Sequence, residues 1–348
     1  MKRHGQLWPA LVNYENLVRA HHNARKGKAH YREVQAVNAA EEDYLLHLQE
    51  LLDTRQFTTS EYTIFEKHDG RKERTLYKLP YFPDRIVQHA LIQVCEPIWR
   101  AGLIRDTYQS ITGRGTSDAR KRVERVVRGR PGLYALKFDV RKFYPSVDNE
   151  ILKAIIRRKI KCPQTLWLID NIIDSCAGIP IGNYTSQYWG NLYLSPFDWW
   201  VKQELRPYGY HRYCDDIILL GHSSHELHEL RKRCFEKLAT DFHLGIKPNW
   251  QVFPVDARGL DFCGYVFTSR STRLRPTIAR KLRAKARQIR RSHHQMTPHE
   301  IACGAGSYWG WCKHADARRL YFREMGRQTG DRIHESQERV RALQRAAA

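Results

Sequence analysis

Asp215 and Asp216 stand side by side in the stretch Tyr213-Cys214-Asp215-Asp216. Two adjacent carboxylates are costly to bury as anions unless a cation accompanies them, and their hard oxygen ligands suit a magnesium-like divalent ion. A metal held in this way calls for a further carboxylate at another strand end. The apolar run Leu133-Tyr134-Ala135-Leu136-Lys137-Phe138-Asp139 supplies it. Asp139, Asp215 and Asp216 together form a two-metal constellation of the kind that clamps the attacking and leaving oxygens in phosphoryl or nucleotidyl transfer.

Several elements must position these acids. The polar, aromatic Tyr208-Gly209-Tyr210-His211-Arg212 and the apolar Ile217-Ile218-Leu219-Leu220 predict two short strands meeting at a tight bend. After Asp139, Pro145 and the cap Asp148 predict a stop and a new helix, with Ile151, Leu152, Ile155, Ile156 and Ile160 at amphipathic spacing. Phe143 and Tyr144 lie within reach of whatever Asp139 holds; such an aromatic either stacks beneath a sugar ring or packs in a core. Upstream, 62–67 and 74–80 predict a hairpin turning at Asp69-Gly70 and carrying Lys67, Arg71, Lys72, Arg74 and Lys78. A basic hairpin is either a solvated edge or a cation source for a triphosphate, and beside a nucleotidyl-transfer site Lys67 and Arg74 become candidate phosphate ligands. The loop Gly178-Ile179-Pro180-Ile181-Gly182-Asn183-Tyr184-Thr185-Ser186-Gln187 leads into an apolar helix expected over Tyr188 to Val201. Ser186 and Gln187 fall at its start, where backbone N–H groups meet a phosphate or base, or where Thr185 or Ser186 simply caps. Residues 1–56 read as helical, with Leu11, Leu17, Tyr44, Leu45, Leu48 and Leu51 spaced for buried faces, and a further helix follows Pro83-Asp84-Arg85.

The chain has 348 residues with a formal charge of +22, from 59 Lys and Arg against 37 Asp and Glu. That balance points to a polyanionic partner, and nucleic acid is favoured over a membrane because no apolar run is long enough to span one. The first residues lack a signal-peptide core, so a cytoplasmic protein is expected. The eight cysteines are scattered without a Cys-x-x-Cys pair, which predicts reduced thiols; Cys303, Cys312 and His314 lack a fourth ligand at zinc spacing.

Phe138-Asp139-Val140 with Phe143-Tyr144, the loop through Pro180 to Gln187, and Tyr213-Cys214-Asp215-Asp216 resemble, in order and spacing, the palm motifs of reverse transcriptases. Group II intron and retroviral enzymes usually carry glutamine where this chain has Ile181. The loop resembles instead the reverse transcriptases of diversity-generating retroelements, as does Tyr308-Trp309-Gly310-Trp311-Cys312-Lys313-His314-Ala315-Asp316. The likeness covers roughly residues 60 to 320, and Cys214 departs from the Met or Ala of many relatives.

The resemblance implies an α+β fold, a right-hand polymerase with fingers, a palm built on a small antiparallel sheet, and a helical thumb. Expected boundaries are an N-terminal helical extension over 1–56, fingers over 57–130, a palm with part of the fingers over 131–268 and a basic thumb over 269–348. It implies two Mg2+ ions, or Mn2+ in their place, on Asp139, Asp215 and the more peripheral Asp216. Lys67 and Arg74 would touch the incoming dNTP, Tyr144 would exclude a ribose 2′-hydroxyl, and Ile181, beside Gly182 and Gln187, would replace the amide that braces the nucleotide. Without that amide the check on a nascent pair loosens, which fits a family that miscopies template adenines. Lys247 is a candidate general acid for the pyrophosphate or else a solvated loop lysine. Gly264 and Tyr265 fall in a strand pair resembling the primer grip, and Arg280, Lys281, Arg283, Lys285 and Arg287 crowd a helix suited to a duplex backbone. Partners implied are template RNA, the cDNA/RNA duplex, dNTPs and a small basic oligomeric accessory protein, with no membrane. The rival readings are a group II intron-like or phage-defence reverse transcriptase and, more remotely, an RNA polymerase or a non-catalytic RNA-binding protein.

Overall fold

The structure is a computed structural model that describes residues 3–69, 72–292, 295–296 and 298–326. Arg71 of the basic hairpin and the closing segment from Asp331 lie outside the described residues. The chain forms two compact units, the first from residues 1–115, 137–219 and 228–251, the second from 116–136, 220–227 and 252–348.

In the first unit, helices Trp8–Val12, Tyr14–Ala24, Arg32–Ala39 and Glu41–Asp53 occupy the segment expected to be helical. Leu11, Leu17, Leu45 and Leu48 are fully buried, and Leu52 rather than Leu51 completes the last apolar face. Tyr14–Ala24 docks on helix Ile86–Arg100, where the Asn16 amide donates to Leu11 O and Ala90 O. The predicted hairpin is present as strands β1 (Thr63–Asp69) and β2 (Lys72–Lys78), antiparallel with Lys67 opposite Arg74.

Strands β3 (Thr107–Tyr108), β4 (Tyr134–Asp139), β5 (Gly209–Tyr213) and β6 (Asp216–Gly221) lie side by side in the order β3-β5-β6-β4. Beside the strands that carry the aspartates, the short edge strand β3 pairs with β5 in parallel, Thr107 opposite Arg212. These strands are about a hundred residues apart in sequence, so no tight turn dictates their relative direction. Ile217, Ile218, Leu219 and Leu220 of β6 are all fully buried, the behaviour of a strand covered on both faces. Asp148 caps helix Asn149–Arg157 by accepting from the N–H groups of Glu150 and Ile151. The single helix expected from Tyr188 to Val201 is instead two, Ser186–Tyr193 and Ser195–Trp200. Pro196 lacks the N–H that would continue the first helix, and its ring crowds the preceding turn.

Strand β7 (Gln251–Pro254) enters the second unit at Val252 and runs to Val255, whose N–H donates to Leu133 O at 2.8 Å. Strands β8 (Leu260–Phe262), β9 (Tyr265–Phe267) and β10 (Thr272–Leu274) form an antiparallel sheet. Around it stand helices Thr116–Val127, Pro276–Ser292, Pro298–Cys312 and Arg318–Met325. Pro276–Ser292 buries Leu282, Ala286 and Ile289 along one stripe and exposes Arg280, Lys281, Arg283 and Arg287, with Lys285 half-buried beside Gly304. Among the described residues no helix is long and apolar enough to cross a membrane, and no cysteine is in a disulfide.

Candidate active site

Backbone pairing brings three segments of the first unit to one place. Val140 N–H, just beyond the end of β4, donates to Asp215 O at 3.2 Å, and Lys247 N–H donates to Asp139 O at 3.0 Å. Between β5 and β6, Cys214 takes a left-handed conformation with φ of 56°, which makes the bend tight enough to aim Asp215 off the sheet end. The consequence is an ammonium shared by two carboxylates. Lys247 Nζ lies 3.6 Å from Asp139 Oδ1 and 3.6 Å from Asp215 Oδ2. Sequence left Lys247 between a general acid and a solvated lysine; the fold places it on the acids.

Asp216 is held differently. Its Oδ2 accepts from Lys137 Nζ at 3.0 Å, while its Oδ1 is buried without a hydrogen-bond partner. Burial pushes its carboxyl up to about 6; Lys137 opposes that rise, and Asp139 and Asp215 add to it. Among the described residues no three His, Cys, Asp or Glu side chains already converge as a metal cluster. The donor set nevertheless suits a hard divalent ion, because two carboxylates already share one cation and the third leaves an acceptor oxygen unanswered.

Under the bend lies a buried polar lattice that sequence reasoning missed. Arg212 Nε donates to Asp198 Oδ1 at 2.7 Å and Nη2 to Oδ2 at 2.6 Å, both side chains being fully buried. Arg212 Nη1 also donates to Cys214 O at 3.0 Å, so the pair pins the bend itself. Tyr210 and Thr107 hydroxyls complete the shell of Asp198 at 2.6 and 2.9 Å. The available signal was Asp198 alone in the apolar run Ser195–Trp200, a position where an acid needs a cation partner.

Tyr144 opens a short 3-10 turn, and its hydroxyl accepts from Cys214 Sγ at 3.4 Å. Burial, with Cys214 and Asp215 nearby, raises that hydroxyl far above the ordinary tyrosine range and keeps it neutral. Ile179 N–H donates to Tyr144 O at 3.0 Å, which ties the glycine-rich loop to the same turn. The loop also meets the hairpin: Tyr77 N–H donates to Ile181 O at 2.9 Å. Gly182, with φ of 145°, lies so close to β2 that an added Cβ would sit 1.8 Å from Tyr77 O. Farther along, Tyr184 stacks on His89 at 3.8 Å and its N–H donates to Gln88 Oε1 at 2.7 Å. His89 is held down to about 3 by burial, with Arg85 and Lys28 adding to the effect, so it stacks as a neutral ring.

Lys67 and Arg74 are exposed on the hairpin that this loop touches. Gln187 is exposed and accepts from the Ser110 hydroxyl. Neither expected cap forms, since Thr185 makes no side-chain cap and Ser186 Oγ donates instead to Pro180 O at 2.7 Å. In the second unit, Gly264 has φ of 86°, and Trp311 and Ile278 stand on the side where an added Cβ would meet them at 2.5 and 2.9 Å. Tyr265 is buried, packing on Trp311 with ring centroids 5.3 Å apart, so it serves the core of that sheet. Arg280, Lys281, Arg283, Lys285 and Arg287 share one helix, where Arg283 lies 3.6 Å from Glu324.

Residues 65–267 match the family model described as reverse transcriptase (RNA-dependent DNA polymerase). Among solved structures, the chain is similar to apo telomerase from Candida tropicalis, at 11% identity and a TM-score of 0.49, over 62% of this chain and 49% of that one. It is similar also to telomerase from Candida albicans in complex with a fragment of telomeric RNA, at 10% identity and a TM-score of 0.43, over 67% of this chain and 51% of that one. The chain thus spans about half the length of these telomerases. No curated protein matches it.

Proposed function

The chain belongs to the reverse transcriptase family, and from that premise we propose that it is an RNA-directed DNA polymerase of a diversity-generating retroelement. The observation that carries the catalytic part is the convergence of Asp139 and Asp215 on a single cation position, each 3.6 Å from Lys247 Nζ. In this reading Asp139 and Asp215, with Asp216 more peripheral, hold two Mg2+ ions, for which Mn2+ can substitute. Such ions, when bound, polarise the primer 3′-hydroxyl and the α-phosphate it attacks. Lys247 would give its proton to the departing pyrophosphate as the primer oxygen bonds to the α-phosphorus and the bond to the β-phosphate breaks. Lys67 and Arg74 bind the triphosphate from the hairpin, and Tyr144 closes the space a 2′-hydroxyl would need.

The domain assignment is part of the same reading: a helical extension over 1–56, fingers over 57–130, a palm over 131–268 and a thumb over 269–348 whose helix Pro276–Ser292 follows a duplex. The template is a retroelement repeat RNA, the site of action the cytoplasm, and the accessory partner a small basic oligomer.

Infidelity at adenines rests on Ile181. Its backbone is held by Tyr77 N–H, and in this reading its apolar side chain takes the place of a hydrogen-bonding amide that would brace the nucleotide. Ile181→Gln should raise fidelity at template adenines on the order of tenfold in primer extension on RNA with sequenced products. Unchanged misincorporation would overturn that part, and extension with ribonucleotides in preference to deoxynucleotides would overturn the reading of the enzyme itself.

A further inference from the structure

The segment Lys313-His314-Ala315-Asp316 takes no part in the site described above, yet it lines a recess of about 640 Å³ in the second unit. Helix Thr116–Val127 contributes Arg120 and Glu124 to the same recess, and the start of helix Arg318–Met325 contributes Arg318 and Arg319. The volume is that of a site for a small ligand or a short piece of a polymer. Its lining carries five permanently charged cations and two carboxylates.

Both carboxylates are already engaged. Glu124 accepts from Arg120 at 2.5 Å, lies 3.5 Å from Arg128 and accepts from the Thr272 hydroxyl at 2.8 Å. Asp316 accepts from Arg128 at 2.5 Å and from Thr272 N–H at 2.8 Å. Among the described residues, Lys313, Arg318 and Arg319 have no acid within ion-pair distance. The cationic surplus is therefore local and unneutralised.

Three observations give that surplus a direction. Arg120 Nε is buried without a hydrogen-bond partner although its guanidinium meets Glu124. The His314 ring is held below its ordinary pKa by burial and by the positive charge of Lys313, Arg120, Lys121 and Arg318. The eight-residue helix Arg318–Met325 begins at the recess with Ala317 as its cap, a residue with no side-chain acceptor for the first N–H groups. Unanswered N–H donors, a helix N-terminus and clustered guanidinium groups all favour an oxyanion, and phosphate above others.

We propose that this recess is a phosphodiester-binding site that holds an RNA strand by its backbone without reading its bases. The choice of RNA among phosphodiesters rests on the polymerase reading above; the choice of phosphate rests on the recess itself. Phosphate contacts of this kind fix position and carry no sequence information.

The test is equilibrium binding of the full chain to labelled oligouridylate across a salt series, with no deoxynucleotides present. Arg318→Ala/Arg319→Ala, both exposed in the parent, with Lys313→Ala added in a second variant, should lower affinity roughly tenfold to a hundredfold and flatten the logarithmic salt slope by about 1.4 for the two cations and about 2.1 for the three. The matched lysine variant Arg318→Lys/Arg319→Lys should retain most of the slope, which a merely structural role would not predict. Parent-like affinity and slope in the alanine variants would overturn the proposal. So would a loss confined to oligothymidylate, or a loss seen equally for uridine monophosphate with an unchanged polymer slope, which would mark a free-nucleotide site instead. Because the readout is binding, failure of primer extension would sink the catalytic reading and leave this one standing.

Discussion

The bend that carries Asp215 separates two acidic regions of opposite character. Below it, Asp198 is fully buried and fully answered, with a bidentate guanidinium and two hydroxyls. Beyond it, Asp139, Asp215 and Asp216 share two lysines at longer range, and one carboxylate oxygen has no partner. The first region is closed to further ligands and serves to fix geometry; the second is short of positive charge and is open to it. A chain can thus hold a strained cluster of anions because a neutralised one beneath it keeps the bend from relaxing.

Breaking the closed region should have the largest effect. Arg212→Leu leaves Asp198 buried without a counter-ion and should cost about 3–5 kcal/mol in denaturant unfolding. A parent-like midpoint would mean that the lattice does not support the bend. Removing charge from the open region should do the reverse. Asp215→Asn should lower the rate of primer extension by about 10²–10³-fold, yet its unfolding midpoint should not fall, since it relieves repulsion with Asp139 and Asp216.

The smallest effect sharpens the comparison through pH. Asp216 has its folded-state pKa raised to about 6, so between the ordinary carboxylate value and 6 the folded chain binds the proton more tightly than the unfolded chain does. Stability of the metal-free protein should therefore fall as pH rises through that window, by on the order of 1–2 kcal/mol. Asp216→Asn should abolish that slope in unfolding measured with chelator present. A slope that persists in the variant would place its origin elsewhere.

Much of the open region was legible in the sequence, and little of the closed one. Adjacent aspartates after a strand, and a third at the end of another, are rare enough in type and position to imply one chemistry. Lys137 was unreadable because a lone lysine in an apolar strand looks like its solvated face, and only the register of β4 against β6 sets it 3.0 Å from Asp216. Arg212 and Asp198 lie in different elements, so their pairing exists only in three dimensions. The same holds for Gly264, since conformational freedom was visible in the residue type while the ring of Trp311 that fills the space comes from 47 positions onward by the numbering. Helix Asn149–Arg157 was readable from its period and its Asp148 cap, whereas Pro196 divided one that looked continuous.

At position 181 the joint between loop and hairpin is a main-chain one, Tyr77 N–H to Ile181 O, with Gly182 supplying the clearance. A fastening of that kind does not depend on which side chain position 181 carries. Position 181 can therefore exchange its side chain without taking this joint apart, so whatever that side chain does in the loop can change while the fastening stays the same.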